Sequence, residues 1–438
     1  MSAPSIEREP AVPAPLTPSA SAGGPRPAAG SSALAALAPR STPAQLRLLM
    51  LVLAVVAVLF AVVASVGVDR RDQALSSATD AAAQLIDAQS VQVAIARADA
   101  LASENYLRGG IEDPATRAAY VAELETAGRG LVDVANRVGP ADAQRLGEVS
   151  TQLGVYAGLV ESARANNRQG FPVGAAYLRN ANAAAATMLS SLRDVQASLR
   201  DEVNADLDDA DRAGVWLHLV GWPLLGVLGA AGWWMNKRFK RLVNVPLAAA
   251  GVVALAAVLV GGTIAAAAMG DAEDAAGGPL RSADLAAQAR SAGFDAHTQE
   301  FFTLITRGNA AAAETAWATA AANAQAAARE LCDRSGDCNP LDRFGAYRSG
   351  FDDVRRLDAV EGDWDGAVAL SLGDNAATFE AFDVASVDAT QRNTAIAIDQ
   401  LSSSNDRLGL VRAGVFVAGL AVAALAVVGV GQRLREYR

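Results

Sequence analysis

Two histidines and two cysteines are the whole supply of imidazole and thiol in this 438-residue chain. His218 falls in an apolar stretch and His297 on a helix of the second polar region. Neither has a Cys or His partner at ligand spacing, so both read as structural side chains and no metal is expected. Cys332 and Cys338 enclose Asp333-Arg334-Ser335-Gly336-Asp337. The topology derived below puts this pair outside the membrane, where it reads as a disulfide stapling a turn, worth ~2 kcal/mol for so short a loop. A redox switch is the weaker reading.

The remaining chemistry is charge. A dicarboxylate such as aspartate or glutamate needs fixed cations, and Arg97, Arg108, Arg117 and Arg179 are the candidates in the first polar region, against the plainer reading of pairing with neighbouring acids. Asp201, Glu202, Asp206, Asp208, Asp209 and Asp211 form an acidic run that reads as a solvated face, or else as a surface for cations or a basic partner. No phosphate-binding Walker loop, G-x-S-x-G, H-E-x-x-H or kinase signature is found. The expectation is a non-enzyme without cofactors, and a net charge of −10 argues against nucleic acid as a partner.

These side chains must be held by helices. An aromatic share of 5% and abundant alanine argue against a large β core. Leu48–Val68, Val215–Trp234, Val245–Met269 and Ala413–Val430 lack Asp, Glu, Lys and Arg, and each is near the ~20 residues that cross hydrocarbon. Residues 69–213 carry 21 acidic and 14 basic side chains, and residues 271–411 carry 23 and 11. The only short loop holds Lys237, Arg238, Phe239, Lys240 and Arg241, with both lysines of the chain. Short basic loops stay in the cytoplasm. Both acidic regions therefore face outward and both termini inward, although Arg70 and Arg71 run against the rule.

The expected order is a disordered cytoplasmic tail (1–44), span one (45–68), bundle one (69–213), span two (214–234), the basic loop (235–244), span three (245–269), bundle two (270–411), span four (412–431) and a short tail (432–438). The first tail holds nine of sixteen prolines and too few large apolar groups to fold. The last carries Arg433 and Arg435. Together with the basic loop it is the candidate cytoplasmic output, against the plain reading of topology and attraction to anionic lipid.

The chain also reads as an internal duplication with a period near 200 residues. Tyr106-Leu107-Arg108-Gly109 pairs with Ile305-Thr306-Arg307-Gly308, and Tyr120 with Trp317, at offsets of 197–199; Gly170–Ala175 pairs with Gly362–Ala367, and Leu178 with Leu370. Each polar region divides into four helices. In the first, Gly109-Gly110, Asp113-Pro114, Gly139-Pro140 and the Gln169–Val173 loop punctuate them, with the third helix running to about Arg168. Helices one and four are each roughly 60 Å long outside the membrane, against about 35–40 Å for the inner pair. The expectation is two distal four-helix bundles on two-helix stalks. The runs Gly226–Gly232 and Gly261–Ala268 offer close helix packing in the membrane, or serve as lipid-compatible filler.

The G-D-W-x-G-A-x-x-L turn at Gly362–Leu370, with its weaker partner at Gly170–Leu178, resembles the helix-three to helix-four turn of chemoreceptor-type four-helix-bundle sensor domains. The wider layout of Pro/Ala-rich tail, duplicated span–bundle–span plan, Lys237–Arg241 loop and small basic C-terminus resembles the GlnX-like four-span proteins of mycobacteria and related actinobacteria. That resemblance implies a receptor without catalysis. It would take its signal from a GlnH-like solute-binding lipoprotein specific for amino acids such as aspartate and glutamate, and pass it to a PknG-like cytoplasmic Ser/Thr kinase that governs glutamate metabolism. It carries over no functional residues. Direct ligand binding, a transporter accessory role and an envelope scaffold are the rival readings, and a homo-oligomer is compatible with all of them.

Overall fold

The computed structural model describes residues 42–110, 113–239 and 244–435, and helix is the only regular secondary structure among them. The tail through residue 41, Lys240, Arg241 and the side chain of Phe239 lie outside the described residues.

Helix α1 (Thr42–Arg108) runs 67 residues without a proline beyond its first turn. It starts inside the segment expected to be tail, because Pro43 fits a first turn, where its missing N–H costs nothing. Gly109 and Gly110, both at positive φ, end it. α2 (Pro114–Ala135) opens on Asp113, whose carboxylate accepts from the Ala115 N–H. α3 (Pro140–Arg168) and α4 (Val173–Ala213) follow; a one-residue break at Gly214 then leads into α5 (Val215–Phe239). The second repeat comprises α6 (Val245–Ala275), α7 (Arg281–Ile305), α8 (Ala311–Ser335), α9 (Asn339–Arg355), α10 (Trp364–Leu372) and α11 (Asp374–Arg435).

The second repeat is less regular than the four helices expected. A π-helical turn at Ala276–Leu280 joins α6 to α7 because Pro279 cannot donate to the helical ladder. A second π turn, Arg356–Glu361, ends α9, and Gly373 splits the last helix into α10 and α11.

Among the described residues, four helices are long and apolar enough to cross a membrane. The chain is an all-α membrane protein. Leu53, Phe60, Leu224, Val258, Val415 and Val422 pack in one core within the membrane segment. Gly67 meets Trp216, Gly221 meets Val258, Gly261 meets Val415, and Gly419 meets Ala61, so the four spans close into a ring in chain order. Of the two small-residue runs, Gly261 and Gly262 are packed, against Val415 and His218. Gly226 and Gly229 have open space around them, since they lie on the outward face of α5.

Above the spans, the stalks expected as two separate pairs merge into one four-helix stalk. Ala78, Ala82, Val203, Leu207, Ala268, Ala272, Leu401 and Leu408 share a core. The cause is the alanine stripe on each helix, which an isolated pair would leave in water. Ion pairs Arg412–Asp69, Arg407–Asp271 and Arg71–Asp211 (3.7 Å) ring its base. Arg71, the exception to the charge rule, is buried there against the Gly214 break.

The two helical bundles also share a core, joined along α1 and α7. Gln92 Nε2 donates to Ser291 Oγ at 3.0 Å, one repeat of 199 residues away, and Gln89 Nε2 donates to Asp284 Oδ1 at 2.7 Å, about one turn out of that register. Residues one repeat apart touch directly, which is the signature of a pseudo-two-fold axis between the helices.

Cys332 and Cys338 are bridged with their Cα atoms 4.4 Å apart, next to Gly336, which caps α8 at φ 73°. Arg392 and Arg334 hold this turn to α11 and to the Gly277 carbonyl in the stalk. Replacing both cysteines by serine is expected to cost ~2 kcal/mol, read as a modest drop in the melting temperature of the solubilised protein. A loss above about 5 kcal/mol would mean that the staple organises more than its turn.

Candidate functional site

The membrane-distal end of the first bundle gathers cations. The C-terminus of α1, the first turns of α2, the end of α3 and the start of α4 enclose a small cavity of about 30 Å³, room for roughly one or two waters. Arg117, Arg164 and Arg168 line it, with Asn105, Tyr106, Tyr120 and Asn167. Glu161 stands among the guanidinium groups, 2.5 Å from Arg117 and 3.2 Å from Arg164. Burial pulls the Glu161 carboxyl up, but hydrogen bonds and charge from the two arginines outweigh it and hold the group below the usual range. Arg117 also lies over the Tyr120 ring, 5.1 Å from its centroid. The arrangement is a cluster of guanidinium groups held together by a carboxylate of the protein's own.

Of the four arginines singled out from sequence, Arg117 alone lines this cavity. Arg179 acts on the phenol of Tyr106 in its wall, and no carboxylate lies within ion-pair distance of Arg179 among the described residues. Arg108 is exposed and bound to Glu104 one turn away at 2.6 Å. Arg97 pairs with Glu123 at 3.5 Å, on the seam between the bundles. Arg164 and Arg168 were missed. Their signal is the spacing Glu161, Arg164, Arg168, at i, i+3 and i+7, which puts all three on one face of α3.

Each bundle also buries an acid at mid-height. In the second, Glu300 is fully buried and accepts from Ser371 Oγ (2.6 Å), Tyr347 Oη (2.7 Å) and Asn375 Nδ2 (2.9 Å), with His297 Nδ1 at 3.3 Å. His297 is thus partnered after all, and stacks on Phe379 with 4.1 Å between centroids. In the first bundle Asp99 accepts from Asn182 Nδ2 at 2.6 Å and faces Tyr156. Acid on the first helix, tyrosine on the third and asparagine on the fourth recur as Asp99/Tyr156/Asn182 and Glu300/Tyr347/Asn375.

The two acids titrate in opposite directions. Burial pushes Asp99 up to about 7, against the bond from Asn182 and the facing Tyr156 hydroxyl and with help from Asp295 across the seam. A raised carboxyl contributes stability that is complete below its unfolded value near 3.8 and is lost as pH rises through about 7. Asp99→Asn is therefore expected to gain on the wild type by about 2–3 kcal/mol between pH 5 and pH 8, measured by chemical unfolding of the full chain in detergent. A gap independent of pH would sink this reading of Asp99.

At the other end of the molecule, Lys237 lies over the Trp233 ring at 5.2 Å and Arg238 ends the same helix. Arg433 and Arg435 occupy the last turn of α11. Asn244 caps α6 and donates to the Gly429 carbonyl at 2.8 Å, which ties the short loop to the end of the fourth span.

The turn at Gly362–Leu370 has a physical basis. Gly362 takes φ 74°, Asp363 caps α10 by accepting from the Gly366 N–H, and Trp364 Nε1 donates to the Leu304 carbonyl at the end of α7. Arg307 covers that indole at 3.5 Å.

Residues 74–208 match the family model of an actinobacterial sensor domain. The matched segment runs from the stalk of α1 to the acidic end of α4, and so contains the arginine cavity and Asp99. With the four candidate membrane helices, the match fits an actinobacterial four-span membrane sensor. No curated protein and no solved structure matches the chain.

Proposed function

We propose that the chain is a signal-relay receptor of the plasma membrane, with both termini and the 235–244 loop in the cytoplasm. A solute-binding lipoprotein loaded with an amino acid of the aspartate/glutamate class docks on the bundles. A cytoplasmic Ser/Thr kinase that controls glutamate metabolism reads the change inside. The observation that carries this reading is continuity: α1 and α11 each run unbroken from the membrane segment into a bundle, and the sensor-domain match lies on that frame. Such helices pass a shift at one end to the other.

The arginine cavity supports a carboxylate-bearing partner. Its volume of about 30 Å³ is too small for an amino acid, which favours surface docking, with a partner's carboxylate replacing Glu161, over direct capture there. The energy for the switch is the partner's differential affinity for two packings of the stalk. Spans two and three then move the loop that joins them.

The test is a pull-down of the tagged full-length protein from native membranes with and without aspartate or glutamate. Recovery of a solute-binding lipoprotein in ligand-dependent yield is expected, reduced by Arg117→Gln and Arg168→Gln. Recovery of transporter subunits, or of nothing responsive to ligand, overturns the relay.

A further inference from the structure

The pseudo-two-fold axis between α1 and α7 creates two related grooves where the bundles meet. One lies between α1, α2, α7 and α11; the other between α1, α4, α7 and α8. A perfect repeat would fill both alike.

The first groove is closed by charge. Arg97 pairs with Glu123, Arg290 grips Asp383 through Nε and, at 3.3 Å, through Nη2, and Glu123 feels both Arg290 and Asp383. Carrying these four residues across the repeat, at offsets of 199 for the first helix, 197 for the second and 192 for the fourth, gives Ala296, Ala320, Val91 and Ser191. Two ion pairs become four uncharged side chains. The second groove therefore stays open, with a volume of about 450 Å³, inside the range of roughly 300–1,000 Å³ typical of ligand pockets.

Its lining carries an unmatched pair of charges. Asp295 stands on the α7 wall and Arg193 on the α4 wall; neither has an ion-pair partner within 4.0 Å among the described residues, and burial pushes the Asp295 carboxyl up while Gln299 and the charge of Arg193 favour its ionised form. The other charged groups of the lining are spoken for, Arg200 by Asp284 and Glu330 by Arg281 and Arg334. Between them the walls offer amide and hydroxyl groups from Gln92, Gln196, Gln288, Ser291 and Asn323. No aromatic ring lines the groove, so a quaternary ammonium finds no cage there, whereas a primary ammonium finds acceptors.

We infer that the open groove between the repeats binds a small dipolar molecule, its anionic group on Arg193 and its protonated primary amine on Asp295. The site is separate from the arginine cavity and needs no docked protein. It is placed to act on the membrane. The walls belong to α4, which leads through Gly214 into the second span, and to α7, which continues through the π turn from the third. A ligand bridging Arg193 and Asp295 draws those helices together, and with them the two spans joined by the basic loop.

The experiment is ligand-induced thermal shift and titration calorimetry on the full-length protein in detergent, without any partner. The probes are the twenty protein amino acids, β-alanine and 4-aminobutanoate; acetate, methylammonium and glycine betaine serve as controls. At least one dipolar probe is expected to bind and the three controls to fail. Arg193→Gln and Asp295→Asn should each weaken that binding tenfold or more, while Arg168→Gln in the distal cavity leaves it unchanged. Calorimetry of the unliganded variants confirms that they fold. Absence of binding by every dipolar probe, equal binding of acetate, or binding indifferent to both groove substitutions overturns the site. These outcomes leave the relay untouched, because its test is recovery of a partner.

Discussion

Glu300→Ala is expected to destabilise the second bundle by about 3–5 kcal/mol, the usual cost of breaking a buried charged network from one side. The carboxylate is fully buried on α7, and its partners come from three other helices: Tyr347 on α9, Ser371 on α10 and Asn375 on α11. One acid thus ties four helices at a single level. Truncation leaves a phenol, a hydroxyl and an amide facing a cavity too enclosed for all of them to find water, and each stranded group costs roughly 1–3 kcal/mol. Glu300→Gln keeps the shape and should cost less, since the amide oxygen still accepts from one or two donors. Burial pushes Glu300 up, but the bonds from His297, Ser371 and Asn375, with the charge of His297, outweigh it and leave the group below its ordinary range. A depressed carboxyl stabilises above its unfolded pKa, and that contribution is lost as pH falls through the folded value. Acid therefore weakens the second bundle through Glu300, while the first loses stability through Asp99 as pH rises. Melting of the full-length variant within about 1 kcal/mol of wild type would show that the network is not the keystone described here.

What the sequence disclosed follows from the range of the signals. Membrane spans and helix ends are local. Gly109-Gly110, Asp113-Pro114 and Gly139-Pro140 mark breaks that the backbone obeys, because their causes lie within a few residues. Arg168 ends α3 where the reading of the loop put it. α2 ends at Ala135, one turn before Gly139-Pro140.

The misses that matter most for the buried sites are long-range. Glu300 looks like any glutamate on an alanine-rich helix until Tyr347, Ser371 and Asn375 arrive from 47, 71 and 75 residues away. His297 has no Cys or His at ligand spacing, and its acid partner Glu300, one turn on, is an ordinary helical neighbour by sequence. Spacing alone puts Arg164 and Arg168 on one face of α3 with Glu161, but that this face closes a cavity with Arg117 is decided by tertiary packing. The merged stalk was hidden for the same reason, since an alanine stripe records that a face is buried without naming what covers it.

The largest effect on the relation between the repeats is expected from Asp284→Ala. Asp284 lies on α7, with its side chain 2% exposed, and receives Arg200 from α4 in a two-point grip at 2.6 and 3.0 Å. Gln89 on α1 donates at 2.7 Å, and Arg281 at 2.7 Å from one turn back. It is the point at which the first repeat is bonded to the second just above the stalk. Removing the carboxylate leaves Arg200 without its counter-ion in a partly buried site, at a cost of about 3–5 kcal/mol. Arg281 loses less, because Glu330 remains 3.1 Å away. The loss should appear as faster amide exchange along Leu85–Ala98 of α1 and Leu285–Ala296 of α7, with the distal ends of the bundles little changed. Arg200→Ala removes the stranded charge, so the double variant should be less destabilised than the two single losses summed, with a coupling of about 1–3 kcal/mol. Strict additivity would deny that the pair acts as a unit. Asp284, bonded to α1 and α4 of the first repeat and held within the second by Arg281, resists a shift of one repeat against the other where the bundles become the stalk.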